Sequence, residues 1–164
     1  MKERIREKVL EKLEQNAKID LHTLSLMLGF SEEEIANEIA EMEQEKIICG
    51  YHTLINWDNT KKEIVTALIE VKVTPQRGMG FDVLAERIAN FEEVNAIYLM
   101  SGGYDLCVFL EGKSMKEVSR FVFEKLSTLE SVLSTSTHFV LKKYKDHGVA
   151  LYKNKKDERM LVSA

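Results

Sequence analysis

The sequence predicts an α+β chain in two parts. Three short helices fill the first 45 residues, and a strand–helix–strand–strand–helix–strand run follows to residue 147. Three observations carry this. Apolar residues recur at helical spacing as far as Met42. The texture then changes to strict alternation in EIVTALIEVKV at 63–73. Beyond it, further strands and helices are punctuated by a glycine pair and by serine caps.

The first helix is expected over 3–14, where Ile5, Val9, Leu10 and Leu13 form a stripe and Asn16 ends it. Asp20 is placed to cap a second helix, with Leu21, Leu24 and Leu28 on one face and Gly29 at its stop. Ser31 starts the third. Ser31 and Glu34 have the S-x-x-E spacing of a capping box, in which each side chain satisfies a backbone donor of the other. Ile35, Ile39 and Met42 then point inward. Three short helices with a glycine turn before the third describe a helix-turn-helix.

In the second part, Val65, Ala67, Ile69, Val71 and Val73 share one face of a strand over 63–73. Pro75 and the glycines of RGMG end it. FDVLAERIANF at 81–91 reads as a helix buried through Val83, Leu84, Ile88 and Phe91. Strands over 94–101 and 104–111 are joined at Gly102–Gly103. A helix over 114–129 takes Ser114 as N-cap, with Glu117 completing a second capping box, and the last strand covers 132–143. The order βαββαβ is the ferredoxin-like plan, an antiparallel sheet with helices on one face. Leu68, Leu106, Val108 and Leu110 are read as facing the other side of that sheet. An apolar second face needs a cover, so a homodimer packed sheet to sheet is expected.

Composition bounds the rest. A chain of 164 residues, 45% of them apolar, supports one ordinary domain or two small ones. No apolar run approaches the ~20 residues of a membrane span, and Met1 leads directly into the charged run KERIREK. The expectation is a cytoplasmic protein with no membrane partner. Cys49 and Cys107 lie in apolar, strand-like settings and are expected as free, buried thiols. His22, His52, His138 and His147 lack ligand spacing, so no metal is expected. With no nucleophile motif, P-loop or GxGxxG, neither an enzyme nor a cofactor is expected.

Charge poses the main question. Residues 1–56 carry seven Lys/Arg against twelve Asp/Glu, a net of −5, and residues 31–46 alone hold seven glutamates. Duplex DNA is the partner a helix-turn-helix implies, yet phosphate contacts normally supply most of such affinity. Some acids have local work. Glu34 belongs to the capping box, Glu32 and Glu33 suit the positive end of the helix dipole, and Glu43 and Glu45 lie past the section that enters a groove. Glu33 and Glu41 are placed on the exposed face with Asn37, which has the two-sided amide that reads adenine. Ser31, Asn37 and Lys46 are the DNA-contacting candidates, with Arg4, Arg6, Lys8, Lys12, Lys153, Lys155 and Lys156 available for phosphates.

LSLMLGFS at 24–31 resembles the helix-turn-helix of the Lrp/AsnC (feast/famine) transcription regulators, with Ser25 where that family usually has alanine. IICGY at 47–51 is similar to the family's wing and linker strand. SGGYDL at 101–106 resembles its hairpin, and STSTHFVLKKYK at 134–145 its last strand. The third helix departs from the family, which normally carries arginines there. The resemblance covers roughly residues 3–145. It implies a winged helix-turn-helix over 1–50, a linker strand over 51–62, a ferredoxin-like effector-sensing and dimerisation domain over 63–147, and a tail over 148–164. GVALY in that tail is read as a further strand, and KNKKDER as solvated.

The resemblance further implies a small-molecule effector, an amino acid or something similar, held near the hairpin between dimers that assemble into tetramers or octamers. Asp105 supplies an acceptor for an ammonium. Gly102 and Gly103 let backbone N–H groups approach a carboxylate. Thr135 and Thr137 point to one side of the last strand, and Met100 and Tyr104 wall the pocket. Two alternatives stand beside the regulator. One is a sensor or partner-binding module of the same fold with weak or no DNA binding. The other, by fold analogy alone, is a tetrapyrrole enzyme similar to the sirohaem decarboxylases.

Overall fold

A computed structural model describes residues 2–74 and 80–152, with side chains from Arg4 onward. The chain divides into two compact units, Met1–Leu54 and Ile55–Ala164. Pro75, most of the RGMG stretch and residues 153–164, including Lys153, Lys155 and Lys156, lie outside the described residues.

The first unit holds α1 (Lys2–Gln15), α2 (Leu21–Leu28) and α3 (Glu32–Gln44). Each boundary follows from local chemistry. The Asp20 carboxylate accepts from both the backbone N–H and the hydroxyl of Thr23, each at 2.8 Å. Gly29 ends α2 in the left-handed region, at φ 73°, and donates its N–H to the Ser25 carbonyl. The Ser25 hydroxyl donates to the Phe30 carbonyl at 2.6 Å, a bond across the turn that alanine cannot make. Ile5, Val9, Leu24, Ile35 and Met42 form the buried centre, with Ile39 packed against it.

The second unit builds a four-stranded sheet in the order β2–β3–β1–β4, antiparallel throughout. Its elements are β1 (Val65–Val73), α4 (Phe81–Ala89), β2 (Val94–Leu99), β3 (Leu106–Gly112), α5 (Met115–Phe121) and β4 (Val132–Phe139). α5 continues through a wider π turn over Val122–Leu126. β5 (Lys145–Asp146) and β6 (Val149–Ala150) form a small hairpin through His147 and Gly148, both at positive φ. Ala67, Ile69, Val71 and Val73 alternate into the core and meet Ile88, Val118, Phe121, Leu126 and Leu129.

Several expectations change. No strand forms between residues 45 and 64, so the wing and linker strand are absent as ladders. A strand exists only where a neighbour takes its backbone groups, and no segment among the described residues does so there. Val83 is half exposed on α4. Glu117 does not close a capping box: Ser114 accepts from the Glu117 N–H at 3.2 Å, but the Glu117 carboxylate takes the N–H of Lys113 at 2.6 Å. Cys49 is exposed, and only Cys107 is buried.

The correction with most consequence concerns the sheet faces. Leu106, Val108 and Leu110 pair with Val71, Ile69 and Ala67 and lie on the helix-covered side. The uncovered face carries Leu68, Cys107, Phe109 and Tyr98 beside Glu70, Lys72, Ser134, Ser136 and His138. It is mixed rather than apolar.

Candidate functional site: the acidic helix and the glycine hairpin

Most of the acids on and just after α3 are engaged by partners. Arg6 on α1 lies across the helix and meets three of them. Its Nε donates to Glu38 at 2.8 Å, Nη2 to Glu41 at 2.8 Å, and Nη1 to Glu45 at 2.6 Å. The hydrogen bonds to Glu45 and then Glu38 hold the guanidinium pKa above its already high ordinary value. Arg6 is therefore an internal partner of the helix rather than a phosphate contact, and Glu41 is drawn toward α1 and away from the face where it was expected.

Three more glutamates have named partners. Glu34 accepts from the N–H and hydroxyl of Ser31 at 2.9 and 2.8 Å, and Ser31 Oγ accepts from the Glu34 N–H. The Ser31 N–H, then its hydroxyl, holds the Glu34 carboxyl below the usual range. Glu32 shares a hydrogen bond with His22 Nδ1 at 2.8 Å, and Glu43 accepts from the Tyr51 hydroxyl at 2.8 Å. Burial, with Glu43 second, pushes the Tyr51 phenol up.

The outer ridge that remains is Glu33, Asn37, Ala40 and Gln44, all exposed. Their spacing of four, three and four residues places them on one face. Asn37 is thus where it was expected. Ser31 sits at the ridge's start with its hydroxyl held by Glu34. Lys46 lies just past its end, exposed and in the left-handed region at φ 61°.

In the second unit, the hairpin between β2 and β3 closes where the Met100 N–H donates to the Asp105 carbonyl at 2.8 Å. Asp105 also ties the hairpin to β1. Its N–H donates to the Val71 carbonyl at 3.0 Å, and its Oδ2 accepts from the Val73 N–H at 2.8 Å. The second bond falls where the β1–β4 register shifts, between Lys72 and Val73. Gly102 and Gly103 are exposed, neither lies at positive φ, and no heavy atom stands within 4 Å of an added Cβ at either. The fold itself therefore imposes no glycine there.

The structure only partly gathers the hairpin candidates. Thr135 pairs with Val71 and Thr137 with Ile69, so both point to the helix-covered side of the edge strand β4. Tyr104 instead folds toward the Cys107 thiol and Glu70 on the uncovered face. Burial pushes both the Tyr104 phenol and the Cys107 thiol up. Met100, Gly102, Gly103 and Asp105 stay together at the hairpin, with Thr135 two strands away across Val71.

A cleft of about 320 Å³ opens on the helix side, between Val73 and Thr74, Phe81 and Leu84 of α4, Arg87, and Thr128 to Ser131. None of the predicted residues lines it, although Val73 joins it to Asp105. Periodicity marked Val73 and Leu84 only as core, and nothing in the sequence distinguished their ends as a rim.

A three-helix unit with a capped third helix, followed by a four-stranded βαββαβ unit, defines the class of chains that join a helix-turn-helix to a ferredoxin-like fold. The family model described as the Lrp/AsnC ligand binding domain matches residues 66–150. The HTH-type transcriptional regulator YugG of Bacillus subtilis is 50% identical over 156 residues, covering 94% of each chain. HTH-type transcriptional regulator Ptr1 of Methanocaldococcus jannaschii is 27% identical over 146 residues, 89% of this chain and 96% of its own. Among solved structures, AsnC of E. coli superposes with a TM-score of 0.64 at 21% identity, covering 85% of this chain and 92% of that one. The regulator NMB0573 of Neisseria meningitidis, solved as an L-Met complex, gives 0.66 at 20% identity over 87% and 91%. The chain belongs to the Lrp/AsnC family of transcription regulators.

Proposed function

We propose that the chain binds duplex DNA through α3 and that an amino acid or similar small effector at the second unit controls this binding. One observation carries the DNA reading: Arg6, Ser31, His22 and Tyr51 hold six of the seven glutamates in residues 31–46. The helix is acidic in composition, but its outer ridge presents one carboxylate beside Asn37. Asn37 is the base-contacting residue in this reading, Ser31 seats the helix start, and Lys46 meets a phosphate. The test is a titration against the gene's own upstream region at two salt concentrations. Sequence-specific binding with a shallow salt slope is expected, since the helix neutralises few phosphates. Absence of specific binding at low salt, with and without amino acids, favours the alternative of a partner module, for which the net −5 of residues 1–56 speaks.

The effector reading is supported by the matched ligand-binding family and by the L-Met complex of the Neisseria meningitidis relative. The site proposed is the hairpin, with Gly102 and Gly103 offering open N–H groups, Asp105 the acceptor, Met100 and Tyr104 the walls, and Thr135 and Thr137 the far rim. A thermal-shift screen of the amino acids tests it. A ligand at about 100 times its Kd adds about 2.7 kcal/mol. A homodimer through the uncovered sheet face, where Tyr98 is half exposed beside Leu68 and Phe109, is part of the same proposal; assembly into tetramers or octamers follows the family. Light scattering of a dilute sample that stays monomeric and folded overturns the dimer.

A further inference from the structure

The ridge on α3 raises a narrower question, which rests on the DNA-binding reading above. Glu33 is exposed and has no hydrogen-bond or ion-pair partner among the described residues, whereas every other glutamate of the helix has one. It shares its face with Asn37 and Ala40, and no lysine or arginine lies on that ridge. An unpaired carboxylate facing the most negative partner in the cell needs a donor at its tip.

The major groove offers donors at only two bases. Cytosine presents the N4 amino group, and adenine presents the N6 amino group next to the N7 acceptor. Guanine and thymine put acceptors, N7, O6 and O4, where a carboxylate oxygen would come. Adenine's N7 repels the second carboxylate oxygen, so cytosine is the better match. Asn37, with one donor and one acceptor, suits adenine, and the Ala40 methyl suits a thymine methyl. The helix rises about 1.5 Å per residue. Glu33 and Asn37 are therefore about 6 Å apart along the axis, under two base steps of about 3.4 Å.

We infer that Glu33 is a specificity-determining residue that reads a cytosine within about two base pairs of the adenine read by Asn37. Guanine has no reader on this ridge. The acid is then a selector of sequence rather than a flaw in the interface.

The experiment is selection of binding sites from a randomised duplex pool by the full-length wild type, E33Q and N37A, followed by titration of the recovered sites. Glu33 is solvent-exposed at the second residue of α3, so E33Q removes nothing buried, and matching thermal melts confirm its fold. The wild type should fix a cytosine beside an adenine in each half-site. Exchanging that cytosine for guanine should weaken binding about ten-fold or more, in line with one good base contact. E33Q should replace the cytosine with adenine, because glutamine reads adenine, and leave the other positions unchanged. N37A should lose the neighbouring adenine and keep the cytosine. If E33Q selects the same sites as the wild type, or the wild type fixes guanine at that position, the inference falls while the DNA-binding reading stands. If no protein enriches any sequence and none binds duplex DNA at low salt, both fall.

Discussion

α3 and the 100–105 hairpin use carboxylates in opposite ways. On α3 and at its C-cap the acids are many, and six have partners drawn from α1, α2, the N-cap and the segment after the helix. At the hairpin a single acid, Asp105, bonds a backbone N–H on β1 and fixes where one strand's register shifts. The acidic helix read as hostile to DNA turns out to be largely satisfied from within. The acid read as a ligand acceptor turns out to have a structural bond already. The local pattern tells which residues are charged and which face they start from. The partner, 32 to 39 residues away for both Arg6 and Asp105, decides what the charge does.

The comparison can be broken at several strengths. Ile35 is fully buried and seats α3 on the rest of its unit. Ile35→Ala should cost about 2–5 kcal/mol, transfer plus cavity, and abolish DNA binding; a denaturant melt that shows less than 1 kcal/mol, on the order of a surface change, means α3 is seated by something else. Asp105→Ala leaves the Val73 N–H without its acceptor and should cost about 1–3 kcal/mol. Asp105→Asn sharpens the test, because the amide oxygen still accepts from Val73 while the charge is gone. If Asp105 also holds an effector's ammonium, Asp105→Asn keeps the melting temperature and loses the ligand-induced shift. If both survive, Asp105 is a staple only.

Ser31→Ala removes the cap of α3 and should cost about 1 kcal/mol near neutral pH. Part of this effect is pH-dependent. The Glu34 carboxyl is held below its ordinary value of 4.5 in the folded chain, so its contribution is present above that value and is lost as pH falls through the lower folded value. Wild type and Ser31→Ala should therefore converge in the acid limb of a stability profile, and parallel profiles would show that Ser31 does not act through Glu34. Arg6→Gln should give a subtler result in stability but a clear one in binding. It removes the cation that Glu38, Glu41 and Glu45 share, so duplex binding should weaken more than it does in Lys8→Gln, which removes one charge and no clamp. Equal losses would mean the clamp does not shield the DNA face.

Much of the fold was legible because its cues are local. Asp20, Gly29 and Ser31 mark helix ends by their own side chains or lack of one, and the alternation from Val65 to Val73 gives its own face. The misplaced faces of β3 have a physical reason. In LCVFL the residue between the core positions, Cys107, is itself buried, so the run is apolar on both sides and parity has no anchor. The site was legible only as a set of residue types. Tyr104 and Thr135 were grouped by proximity in the family pattern, while strand pairing puts them on opposite sides of the sheet.

The unladdered stretch from residue 45 to 64 has a practical consequence for anyone handling this protein. A protease needs several residues of backbone that no helix or strand holds back, and residues 49–56 supply them, ahead of a single 3-10 turn at Trp57–Asn59. The stretch also supplies cleavage points for trypsin at Lys46, Lys61 and Lys62, the first of which already bends through an uncommon backbone angle. Brief digestion should yield a helical fragment and a sheet-bearing fragment, each carrying its own buried centre. A duplex that protects Lys46 from the enzyme, or an amino acid that changes the rate at Lys61 and Lys62, would report on each unit separately in a single gel lane.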